Sequence, residues 1–468
     1  MSDTTVLVVH VGPVQPFIEA TRRFSDLWAA SHVLSKLAGA VASGIRDKGG
    51  QLVFPADVLA EGSPNKVLAV CPGGPVEAED AARAARDGLV RCWADLCKEV
   101  RQVAENVLDM PAFDDQARVE DWCQFYAVWA TRADYAEAHD AAERLLDGRK
   151  RTRDFHARLG GAGAREDRAK SWQDPGREDV LIESNCRARR EQERRLKIKG
   201  RERLDALGVV KRFHPDSESF ESVNAVAAAI ELDGIAKEAD RKARLDTYER
   251  AVCQVTGRKS FDPAWYYRDR LASELPDVIG SLEVDELDRV ANALGCAGSA
   301  GSRDELSENI SRHLADLLAK TTFGPTPYYA LIMADGDGMG ATISERAVAD
   351  PTTGMDGADR HRELSRCLAR FAKAVRGKLR GSPFLGTVLY CGGDDVLAAL
   401  PLDQAVQGAA ELGDLFAEHT QGLSLSAGVV VAHMLEPFDR VRQWAHDAER
   451  EAKQYVRAHL AGTGRGGL

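Results

Sequence analysis

No apolar run in this chain approaches the ~20 residues that a helix needs to cross a bilayer, so no helical membrane span is expected. The opening, MSDTTVLVVHVG, has no basic segment ahead of its apolar residues, so it does not read as a secretory signal. The nine cysteines are scattered and none falls in a CxxC; Cys92 and Cys97 are the nearest pair, on one helical pattern. This excludes a disulfide framework and a cysteine zinc site, and it fits a reducing, cytoplasmic setting. Positive charge is also in deficit. With a formal net charge of -11, the surface as a whole does not attract nucleic acid, so any such contact must come from local basic patches or partner subunits.

What is present is 468 residues, 44% hydrophobic and 29% charged, which are ordinary proportions for a globular protein. The chain is organised around Leu389-Tyr390-Cys391-Gly392-Gly393-Asp394-Asp395-Val396-Leu397. Two apolar runs joined by a glycine-containing tetrapeptide read as a β-hairpin. Gly392 and Gly393 allow a tight turn and a close approach by a ligand. Asp394 and Asp395 side by side repel each other unless a cation neutralises them. Such oxygen donors suit Mg²⁺ or Mn²⁺, which also take substrate phosphate oxygens. Alone, the tetrapeptide reads equally well as a solvated turn.

A second acidic element changes the balance. Residues 328–334 (YYALIMA) read as a buried strand that runs into Asp335-Gly336-Asp337-Gly338. Acids at a strand end, followed by Gly336 and Gly338, are suited to a metal and phosphates. A helix separates them from the hairpin, as in a β-α-β-β unit of the ferredoxin-like kind. Asp335, Asp394 and Asp395 would then converge for two-metal phosphoryl transfer.

The N-terminal part follows the same order. A strand at 6–11 ends at Gly12-Pro13, and one amphipathic helix through Leu37 is expected to follow. Short strands at 51–54 and 66–71, a helix over 77–108 and a strand at 122–129 complete a first copy. This copy carries no paired acids. The backbone N–H groups at its Gly12-to-Gln15 junction suit a phosphate. The expected class is therefore α+β, with two ferredoxin-like palm domains flanking a mostly helical middle. The expected domains are 1–159 (first palm, non-catalytic), 160–325 (helical middle without a cysteine zinc site) and 326–468 (catalytic palm). Gly160-Gly161-Ala162-Gly163 marks the first boundary. The basic run from Arg187 to Arg203 is interspersed with Glu191, Glu193 and Glu202, and it reads as a solvated face rather than an RNA contact.

Several stretches resemble the large subunit of type III-B CRISPR effector complexes, the CRISPR polymerase/cyclase family. GPVQPFIEATRRFSDLWAASHVLSKL (12–37) is similar to its first-palm signature, and GRERLDALGVVKRF (200–213) with FESVNAVA (220–227) to its central segment. MADGDGMG (333–340), HRELSRCLARFA (361–372), YCGGDDVLAALPL (390–402), SAGVVVAH (426–433), EPFDRV (436–441) and EREAK (449–453) resemble its catalytic palm, in order.

The resemblance implies that ATP is converted to cyclic oligoadenylate messengers, by attack of a 3′-hydroxyl on an α-phosphate, when target RNA is bound. It implies Asp335 and Asp395 on Mg²⁺, with Asp394 on the second metal or the attacking hydroxyl. It also implies Gly12, Gln15, Gly336, Gly338, Gly392, Gly393, Ser426 and Lys453 at the nucleotides. It assigns no metal-binding role to Asp337, which is expected to point away from the metal. The implied partners are a guide-handle-binding repeat protein, small helical subunits, guide RNA and target RNA. Three features of the fuller pattern are unmatched: an N-terminal histidine-aspartate nuclease, a central cysteine zinc site, and a C-terminal helical domain after the lysine helix. No DNase activity is expected, and His139-Asp140 and His446-Asp447 read as surface dipeptides. The chain reads as a compact or a truncated member. The competing functional class is a catalytically silent scaffold that binds nucleotide without turnover; a GTP-using diguanylate cyclase relative fits the tandem palms less well.

Overall fold

The computed structural model describes residues 3–59, 62–152, 169–182, 198, 202–215, 220–257, 261–280, 282, 284–293, 303–319, 325–381, 383–460 and 466–467. The glycine boundary at 160–163 and nearly all of the basic run lie outside the described residues, as does Cys186.

Two four-stranded antiparallel sheets organise the molecule. The first contains β1 (Thr4–Gly12), β2 (Gln51–Phe54), β3 (Lys66–Val70) and β4 (Gln124–Arg132), in the order β2-β3-β1-β4. The second contains β5 (Tyr328–Gly336), β6 (Thr387–Gly392), β7 (Asp395–Pro401) and β8 (Leu425–His433), in the order β6-β7-β5-β8. The orders are the same, so the α+β class and the duplicated topology read from the sequence hold.

Strand alternation assigns the faces. On β1, Leu7 and Val9 pack under α2 (Phe24–Arg46) and α3 (Pro75–Ala104), whereas Val6 and Val8 pack under α5 (Tyr135–Arg151). On β5, Ile332 and Ala334 face α13 (Gly357–Leu379) and α14 (Ala405–Thr420). Tyr329 and Leu331 face α15 (Phe438–Tyr455) and, across the palm–palm seam, Phe24 and Leu27 of α2. The second sheet thus uses the first palm as part of its cover.

The single N-terminal helix expected from the sequence is two helices, α1 (Val14–Glu19) and α2. The break at residues 20–23 is held locally: the Thr21 hydroxyl donates to the Ile18 carbonyl (2.8 Å), and Lys211 Nζ takes the Phe17 and Ala20 carbonyls. The strand expected at 122–129 starts later, because Trp122 packs its ring on Phe17 and Trp93 instead of joining the ladder.

Between the palms, α7 (Val223–Ala236), α8 (Ala239–Thr256), α9 (Arg268–Gly280), α10 (Val284–Ala293) and α11 (Arg303–Leu318) gather around Tyr248, Trp265, Tyr266 and Leu314. The short α4 (Met110–Gln116) and α6 (Ala206–Arg212) do not join them. Leu204, Val209, Val210 and Phe213 pack in the first palm's core, so a unit beginning at residue 160 does not describe where this segment is buried.

Candidate active site

The site is built on a tight turn. Gly392 pairs with Asp395 across β6 and β7, leaving Gly393-Asp394 as a two-residue loop. Gly393 has φ 69°, a conformation that glycine adopts without steric cost. The next strand sets the second acid. Ala334 of β5 pairs with Val396 of β7, so Asp335 and Asp395 stand at the same end of neighbouring strands. Both line a cavity of about 270 Å³. Its other walls are Gln15, Ile18 and Glu19 from α1, and Arg442, His446 and Glu449 from α15. The acidic cleft therefore lies between the two palms.

Its electrostatics are those of crowded carboxylates. Asp395 is exposed at the cavity mouth, but protein occupies most of the space around it. This desolvation, with the neighbouring Asp394 and Glu449 carboxylates, raises its pKa to about 7. Burial also raises Asp394 and Glu449 above the usual carboxylate range. Lys453, one helical turn beyond Glu449, contacts the Asp335 carboxylate directly and lies 3.2 Å from Glu449. Desolvation, followed by the nearby Arg457, lowers the Lys453 pKa.

Among the described residues, no group of three or more His, Cys, Asp or Glu side chains is gathered as a ready metal cage. The donor set still fits Mg²⁺ or Mn²⁺. These ions use one or two carboxylates and complete their shells with water and substrate phosphates. An ammonium already sits on Asp335, where positive charge is favoured.

The other expected residues divide. Gln15 lines the cleft. Gly336 is buried against the turn: a methyl there would stand 3.0 Å from Asp394 Cβ and 2.8 Å from Met339 Cγ. Gly338 caps α12 (Met339–Arg346) with φ 66°. Gly12 closes β1 against His10, where an added methyl would stand 3.0 Å from the ring. Ser426 was expected at a nucleotide and is instead fully buried; its hydroxyl donates to Asp337 Oδ1 at 2.7 Å. Asp337 also accepts from Ser424 (2.8 Å), so it ties the β5–α12 turn to β8 and points away from the cleft. The surface reading is corrected at His139, which is buried beside His361 with ring centroids 5.2 Å apart. His446 is exposed as expected, and it stands on the wall of the cleft.

Sequence reasoning missed Arg442, His446 and Glu449 as cleft residues. Their signal was present: with Lys453 they recur at steps of four, three and four along α15, which places them on one helical face.

A second cavity of about 360 Å³ lies on the other side of the turn. It runs between the β2–β3 connection (Pro55, Leu59, Pro64) and α13 (Leu368, Lys373, Arg376), and reaches Gly393. Arg376 donates to the Cys391 carbonyl (2.5 Å), and Ser365 Oγ accepts from the Ala56 N–H (2.8 Å). Both sides of the turn are thus bordered by the palm–palm seam.

Two palm-like sheets with an acidic cleft between them define a tandem-palm protein. Residues 328–461 match the family model of the Cas10/Cmr2 second palm domain, and residues 6–60 match that of the CRISPR-associated protein Cmr2 N-terminal region. A curated relative, the CRISPR system Cmr subunit Cmr2 of Pyrococcus furiosus, is 23% identical; the match covers 96% of this chain and 59% of that protein. The chain thus spans about three fifths of that relative's length. Two solved type III-B Cmr-beta assemblies, one in the apo state and one bound to cognate target RNA, contain chains of similar fold. Their TM-scores are 0.62 and 0.59, each at 13% identity, covering 97% of this chain and 67% and 68% of theirs. These matches support a type III-B large subunit of the Cmr2 family.

Proposed function

We propose that this chain is the nucleotidyltransferase subunit of a type III-B effector, converting ATP to cyclic oligoadenylate when guide and target RNA are engaged. The supporting observation is the placing of Asp335 and Asp395 at the same end of adjacent strands, in a cleft walled by both palms. The reaction joins a 3′-hydroxyl to an α-phosphate and releases pyrophosphate. Bound Mg²⁺ or Mn²⁺ would neutralise the triphosphate and lower the pKa of the attacking hydroxyl. Asp335 and Asp395 would hold it. Lys453, freed from Asp335, would reach the triphosphate. The α1 wall would hold the acceptor in line, and that positioning supplies much of the rate. In this reading the partners are the other effector subunits and their two RNAs.

The test is Asp394→Ala with Asp395→Ala in the assembled complex given target RNA, ATP and Mg²⁺, with products read by mass spectrometry. Product should vanish while the fold persists. Undiminished product from the double variant would overturn the assignment.

A further inference from the structure

Lys211 and Arg212 are buried side by side at the end of α6, and neither lines the acidic cleft. Lys211 Nζ donates to the carbonyls of Phe17 (2.7 Å) and Ala20 (2.9 Å), where α1 ends. The ammonium also lies 4.3 Å from the centre of the Phe17 ring. Arg212 forks onto Asp26 in the first turn of α2, with Nε–Oδ1 2.7 Å and Nη2–Oδ2 2.8 Å. Its Nη1 reaches Glu202 at 2.8 Å, and Arg23 reaches the same carboxylate at 2.8 Å. Two arginines and two carboxylates therefore neutralise one another within the fold.

Burying an ammonium is costly unless its donors are used. Here two of the three are spent on carbonyls left over by a six-residue helix that cannot hold its own geometry. What they hold is specific. Ile18 and Glu19 lie between the two carbonyls and line the cleft, and Leu27 follows Asp26 on the same wall. Glu19 then reaches Arg442 of α15 at 3.3 Å, on the helix that carries Glu449 and Lys453.

We infer that residues 202–214 are a clamp that sets the first-palm wall of the cleft, and that Lys211 is a positioning residue for nucleotidyl transfer. The positioning role rests on the function proposed above; the clamp does not. It acts through α1, away from the metal-binding carboxylates.

The test compares the full chain with Lys211→Met, which keeps the length and removes both hydrogen bonds. Amide hydrogen exchange across residues 14–27 should be at least tenfold faster, with exchange at 389–397 unchanged. Mn²⁺ affinity should stay within twofold. In the assembled complex, kcat with ATP should fall at least tenfold. Unchanged exchange at 14–27 would overturn the clamp, and faster exchange with unchanged kcat would overturn the positioning role. If Lys211→Met does not fold, Lys211→Gln, which keeps a donor, carries the same measurements. If the parent complex makes no product from ATP, the proposed function and the positioning role fail, and the exchange measurement still decides the clamp.

Discussion

Asp395 is the residue on which the proposed chemistry depends and one that the fold makes uncomfortable. Its pKa is raised to about 7 by desolvation and by the Asp394 and Glu449 carboxylates. An acid raised in this way holds its proton in the folded chain at a pH where the unfolded chain has released it. Stability therefore falls as pH rises from about 4 through about 7. Asp395→Asn should match or exceed the parent in metal-free thermal midpoint at pH 8, by a margin that shrinks toward pH 4, while losing Mn²⁺ binding. A lower midpoint at pH 8 would show that the carboxylate is better compensated than this account allows. Gly336 is a constraint of another kind. The Cβ of Gly336→Ala would meet Met339, Asp394 and Phe416 within 3.0 Å. Overpacking of this sort costs about 1–3 kcal/mol, and here it presses on the turn. Denaturant unfolding and Mn²⁺ titration should both register it.

At the level of elements, the β5–α12 turn depends on β8. Asp337 accepts the Ser424 and Ser426 hydroxyls, and its own N–H donates to the Ser424 carbonyl (2.9 Å). Asp337→Ala leaves the buried Ser426 hydroxyl short of an acceptor, a loss of about 1–3 kcal/mol. Turnover should fall while Asp335 and Asp395 remain in place to bind metal. Complete loss of Mn²⁺ binding in this variant would place Asp337 among the metal ligands and reverse its assignment. Asp337 lies one residue past the end of β5, so strand alternation does not set its direction; the Ser424 and Ser426 hydroxyls, nearly ninety residues along the chain, do.

At the scale of the whole molecule, the palm–palm seam decides whether a cleft exists at all. Phe24 of α2 packs edge-on against Tyr329 and Phe438 of the second palm, with ring centroids 5.7 and 4.9 Å away. Phe24→Ala should cost about 3–5 kcal/mol and reduce ATP turnover more than it reduces Mn²⁺ binding. The far side of the seam holds a neutral histidine. His361 accepts from the Tyr135 hydroxyl (2.7 Å) and donates to the Ile343 carbonyl (2.7 Å); desolvation lowers its pKa to about 4. Between about 6.5 and about 4 the unfolded chain binds this proton and the folded chain does not, so stability falls as pH drops through that window. Unfolding titrations of the parent and His361→Phe should diverge there, the parent losing more. Parallel curves would remove His361 from the acid sensitivity of the seam.

The sequence by itself determined the two palms, the hairpin and its acids. Those features follow from local rules: strand alternation, glycine at a turn, and apolar runs leading into carboxylates. It also carried the ionisable stripe on α15, legible as helical spacing although its destination was not. The tertiary structure alone decided which acids share a cleft, because Asp335 and Asp395 are brought together by register between strands distant in sequence. It decided that Ser426 serves Asp337, that His139 is buried, and that residues 204–213 belong to the first palm's core. In each case the determining contact lies far along the chain, where composition and periodicity set how much a segment buries but not which surface it is buried against.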